Sequence, residues 1–228
     1  MPKQATLQEV GSIKKLVVLT LLITPSGALS PGPLSASGII AGVKLGVIGG
    51  LAIGLGHMIF ELPYIALLVL FLSRVRHILS KIEKPLAIFV TVFLVYFGVG
   101  VLLDAYNIHA TKTIYFSNGL ISIDNLGEAL LVGIVLTGAN PYFLAWWIGV
   151  GLPLLKGSAE HGSLGFGAMY ASHVWMDFVW LAALAFLGYN VSKMLSAYAI
   201  FLGILGVILI VFGIDILLRL FGKKLIPI

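Results

Sequence analysis

The sequence has no cysteine and very little charge. Its 228 residues hold 0 Cys, which excludes disulfides, thiol relays, thiolate metal sites and iron–sulfur clusters. Charged residues make up 10% of the chain, whereas a soluble domain carries roughly a quarter. That is too little polar surface to cover a globule in water. Also missing are a phosphate loop, a nucleophile–base arrangement and a metalloprotease motif, so no enzyme and no cofactor are expected. The net charge of +5 is by itself no nucleic-acid footprint, and no nucleic-acid partner is expected. What is abundant is apolar sequence, 60% of the residues. The apolar runs are continuous, whereas β-barrel strands alternate apolar with polar. The fold class read from this is an all-α polytopic membrane protein.

A span needs about 20 apolar residues. Six runs qualify, at 14–43, 46–72, 85–104, 126–152, 163–188 and 197–219. Only Lys3 precedes the polar stretch Gln4 to Val10, and no cleavage signal follows the first run, so it reads as a retained helix. Connections are expected at Lys44, Arg74 to Lys84, Ala105 to Asn125, Leu155 to Gly162, and Tyr189 to Ser196. Eleven of the 14 lysines and arginines then share a side with both termini; only Lys44, Lys112 and Lys193 lie opposite. The positive-inside rule places both termini in the cytoplasm of a cell-membrane protein. The basic cluster Arg74 to Lys84 is read as an orientation signal.

The second half aligns with the first. At an offset of 116, Gly46, Gly49, Ala52, His57 and Glu61 fall on Gly162, Gly165, Ala168, His173 and Asp177. At 108, Pro33 falls on Pro141. Phe97-Gly98 and Leu102-Leu103 fall on Phe212-Gly213 and Leu217-Leu218 at 115. The reading is one membrane domain, 1–228, of two three-helix repeats, 14–104 and 126–219. Three spans is an odd number, so the second repeat is inverted, as in secondary transporters with a midplane site between halves.

His57 lies 11 residues after Gly46, roughly 16 Å at 1.5 Å per residue. That is about half of a 30 Å hydrocarbon core. His173 lies equally far from Gly162, approaching from the other side. Glu61 and Asp177 follow by four, on the same helical faces. A carboxylate at this depth needs pairing, hydration or a proton. His57, Glu61, His173 and Asp177 are therefore expected to converge in one polar cavity as the substrate and coupling site, or as a metal ligand set.

Helices 1 and 4 are expected to break at mid-membrane, at Pro31, Gly32 and Pro33, and at Asn140 and Pro141. Each break would start a half-helix whose free N–H groups favour an anion. Tyr142, Trp146 and Trp147 are read as packing, and Asp104 and Asp215 as charges near water at span ends. The Gly46, Gly50, Gly54 run fits a homo-oligomer contact or internal packing equally well.

Pro31-Gly32-Pro33, the glycine series Gly42, Gly46, Gly50, Gly54, and Asn140-Pro141 together resemble the LysE-type translocator family, exporters of lysine, homoserine, threonine and related amino acids. Gly56-His57-x-x-x-Glu61 and Ser172-His173-x-x-x-Asp177 are similar to a prokaryotic, often archaeal, branch of it. The resemblance covers nearly the whole chain and implies ion-gradient-driven export of small amino acids. The expected partners are a small-molecule cargo, protons or another coupling ion, and the lipid bilayer. Amino-acid exporters of the family often lack both histidine–acid pairs, and relatives in the wider superfamily export metal ions, so a divalent-metal cargo stands as the alternative.

Overall fold

Apolar sequence in a bilayer must satisfy each backbone N–H within its own segment, so it folds as helix. The computed structural model describes residues 12–30, 32–112, 123–219 and 221–222, with the backbone alone at 72–83 and 86. Among these the regular elements are helices: α1 (Ile13–Ile23), α2 (Pro25–Ala28), α3 (Pro33–Leu45), α4 (Val47–Leu70), α5 (Leu72–Thr111), α6 (Leu126–Gly138), α7 (Pro141–Ile148), α8 (Leu152–Glu160), α9 (Gly162–Val191) and α10 (Leu195–Arg219). Four are long and apolar enough to cross a membrane: α4, the stretch Ala87–Thr111 of α5, α9 and α10. Two bent pairs raise the number to as many as six. Ile13–Ala28 meets α3 at 73°, and α6 meets α7 at 57°. The chain is thus an integral, multi-pass membrane protein.

Both bends fall where the sequence places breaks. Gly32 is the extended N-cap of α3 and Pro33 its first residue. Asn140 is the extended N-cap of α7 and Pro141 its first residue. Proline at the first helical position gives up only an N–H that has no partner within the helix. Pro31 lies outside the described residues, as do Lys3, Lys223 and Lys224.

Several expected connections are helical instead. Arg74 to Lys84 and Ala105 to Thr111 belong to α5, which runs unbroken through Pro85. Arginine, lysine, glutamate and leucine are good helix formers, so charge there ends the apolar run without ending the helix. Leu155 to Glu160 belongs to α8. Asp104 and Asp215 are buried rather than at water. Asp215 accepts from Arg219 Nε at 2.6 Å, one turn along α10.

Two apolar cores hold the bundle. One joins residues of α3, α4, α5, α9 and α10 around Ile39, Ile53, Leu94 and Leu209. The other joins α1, α4, α7, α8 and α9 around Leu16, Ile65, Trp147 and Met169. Glycine lets the backbones between them touch. A Cβ on Gly50 would run into the Leu181 carbonyl of α9, and one on Gly54 would meet the Phe178 ring. Those two glycines therefore pack internally. Gly46 and Gly162, aligned at the offset of 116, precede or start α4 and α9 with φ of 64° and 60°, a region open mainly to glycine.

Candidate functional site: a buried histidine–carboxylate cluster

Gly56 on α4 and Gly133 on α6 stand back to back. A Cβ on Gly56 would run into the Leu130 carbonyl, and one on Gly133 into the Ile53 carbonyl. Close crossing of this kind is what small residues permit between membrane helices. It brings His57, one residue past Gly56, against Thr137, one turn past Gly133. His57 Nδ1 lies 2.9 Å from Thr137 Oγ1.

The same relation recurs on the other side of the cluster. His173 on α9 places Nδ1 2.9 Å from the hydroxyl of Thr24, between α1 and α2. The second ring nitrogens turn inward. His57 Nε2 is 3.3 Å from Glu61 Oε1 and 3.9 Å from Asp177 Oδ2. His173 Nε2 is 3.2 Å from Glu61 Oε1 and 3.4 Å from Asp177 Oδ2. The spacing of four puts each acid below its own histidine, and the crossing of α4 and α9 gives each histidine the other helix's acid as well. All four side chains are buried. They line a cavity of about 70 Å³ with Gly32 and Asn140, the residues just before Pro33 and Pro141 at the starts of α3 and α7.

Trp147 has a role beyond packing. Its indole Nε1 donates to Glu61 Oε1 at 3.1 Å, and its ring meets His173 edge-on at 4.7 Å between centroids. Thr24, Thr137 and Trp147 are the site residues that the sequence reading missed. A signal was present for the threonines: Thr24 and Thr137 are 113 apart, close to the offsets that relate the two halves.

The two half-helix starts are not alike. Asn140 Oδ1 accepts from the backbone N–H of Tyr142 and Phe143 at 3.0 and 3.4 Å, so the start of α7 is capped by its own side chain. No side chain caps α3, and Gly32 and Ser35 at its start face the cavity. The enclosure thus runs from a helix amino terminus, which favours negative charge, to two carboxylates, which favour positive charge. His57, Glu61 and Asp177 each offer a ligand atom within 4.8 Å of the others, a donor set that suits a divalent cation.

No curated protein and no solved structure matches the chain at a significant level. The family model described as LysE type translocator does, over residues 25–220. That stretch contains both helix breaks and all four members of the cluster, and the chain belongs to the LysE type translocator family, whose members are transporters.

Proposed function

We propose that this protein exports small amino acids or related metabolites from the cytoplasm in exchange for protons. Its six spans form two inverted repeats, 14–104 and 126–219, with each bent helix pair counted as one broken span and both termini cytoplasmic. The observation that carries the reading is the burial of two histidines and two carboxylates in one cavity between helices that cross the membrane. Such groups are expensive at that depth and mark ion and substrate paths. The repeat reading is supported by the paired glycines at positive φ and by the crosswise contacts, in which a threonine of each half holds the histidine of the other. A zwitterion suits the polarity of the enclosure, with its carboxylate at the start of α3 and its ammonium at Glu61 and Asp177.

A second reading, divalent-metal export, is favoured by the three ligand atoms of His57, Glu61 and Asp177. One preparation separates the two. Purified protein is reconstituted into vesicles loaded with a mixture of amino acids, an inward proton gradient is imposed, and efflux is followed while the metal content of the same sample is measured. Gradient-dependent efflux of one amino acid or a few supports the proposal. Stoichiometric metal with no amino-acid efflux transfers the assignment to the metal reading.

A further inference from the structure

We propose that Thr137 and Thr24 hold His57 and His173 in opposite tautomers, so that this near-symmetric cluster has one cation position, at His57 Nε2 beside Glu61 and Asp177. A hydroxyl has a single proton to give. Thr137 donates its proton to the Gly133 carbonyl at 2.6 Å, so toward His57 Nδ1 it can only accept. The proton of neutral His57 is therefore on Nδ1, and bare Nε2 faces the two acids.

His173 is arranged the other way. Trp147 can only donate, and it does so to Glu61 Oε1. His173 Nε2 hydrogen-bonds to that same oxygen at 3.2 Å, and as a partner to a carboxylate it donates. Nδ1 of neutral His173 is then the bare nitrogen and accepts the Thr24 hydroxyl proton. Glu61 Oε1 and His173 thus have committed partners. His57 Nε2 and Asp177 Oδ2 do not: Asp177 Oδ2 is buried without a hydrogen bond, as is Glu61 Oε2.

The other polar groups facing this point do not fill it. The Tyr170 hydroxyl on α9 makes no close hydrogen bond but lies near enough to Glu61 to donate to it, and its single proton would still leave His57 Nε2 and Asp177 Oδ2 facing each other. His57 otherwise meets the edge of Phe143, at 5.3 Å between centroids. Three acceptors facing one another repel unless something positive sits among them. A proton, an ammonium group and a divalent ion share that chemistry. Thr24 and Thr137 are positioning residues that act through the imidazoles.

The part this position plays in transport rests on the proton-coupled reading above; the tautomers do not. They can be read without any cargo by nitrogen NMR of protein labelled at histidine, in lipid nanodiscs. The pH is raised until each ring shows one protonated and one bare nitrogen, and His57→Gln and His173→Gln assign the signals. The expected result is a protonated Nδ1 on His57 and a protonated Nε2 on His173. Thr137→Val should remove the Nδ1–H preference of His57, and Thr137→Ser should restore it, because serine keeps the hydroxyl relay. The same tautomer in both rings, or a Thr137→Val spectrum unchanged at His57, would overturn the inference. A failed efflux assay with opposite tautomers would count against the export reading alone.

Discussion

Thr137 and His57 lie 80 residues apart in the chain and 2.9 Å apart in space, and that contact exists because Gly133 and Gly56 leave no side chains between α6 and α4. Gly133→Ala puts a methyl group against the Ile53 carbonyl. Overpacking of this kind costs about 1–3 kcal/mol, and the relief available is to push α6 from α4, which parts Thr137 from His57. Thermal unfolding in detergent should show a clear loss of stability. Gly167→Ala is the contrast: a Cβ there meets nothing within 4 Å, and alanine gains up to about 1 kcal/mol of helix propensity.

Trp147→Phe removes the indole donor from Glu61. A hydrogen bond to a charged group is worth about 1.5–3 kcal/mol, and Trp147 is fully buried, so the melting temperature should fall by several degrees. Trp175→Phe should change stability by less than about 0.5 kcal/mol, because that indole is exposed and donates only to the Ser172 carbonyl of its own helix. Equal effects from the two variants would remove the special role given to Trp147.

The double variant His57→Ala, His173→Ala distinguishes the cargo classes in a binding experiment. With an amino-acid cargo, Glu61, Asp177 and the start of α3 remain, and binding should persist. With a metal cargo, the neutral imidazole of His57 is one of the three ligands, and binding should fall by at least about tenfold, the lower end of losses seen even for outer-shell changes at metal sites.

Orientation is tested by labelling in intact cells. An impermeant thiol reagent should react with Lys112→Cys and not with Arg76→Cys, since the chain has no cysteine of its own. Reaction at both would contradict cytoplasmic termini.

Some of this site was legible in the chain because helical periodicity is local. Four residues separate His57 from Glu61, and His173 from Asp177, so each pair shares a face whatever the tertiary fold. The breaks before Pro33 and Pro141 were legible for the same reason, because proline acts on its own turn. Thr24 and Thr137 were not, because a threonine in an apolar helix commonly bonds its own backbone, as Thr137 does to Gly133. Only the helix crossing reveals the second partner. Asn140 reads as a cap, but which N–H groups it occupies is a matter of side-chain geometry. The helical stretch Arg74 to Lys84 was misread because hydropathy marks where a membrane ends, not where a helix does.

Whether the buried carboxylates carry the coupling charge is read in gradient-driven efflux by Glu61→Gln and Asp177→Asn in reconstituted vesicles. An amide keeps hydrogen-bonding capacity but cannot change charge. Both variants should melt within a few degrees of the original protein, and neither should support efflux responding to the proton gradient. Efflux from either variant at the original rate, with the same response to the gradient, would contradict a coupling role for these carboxylates.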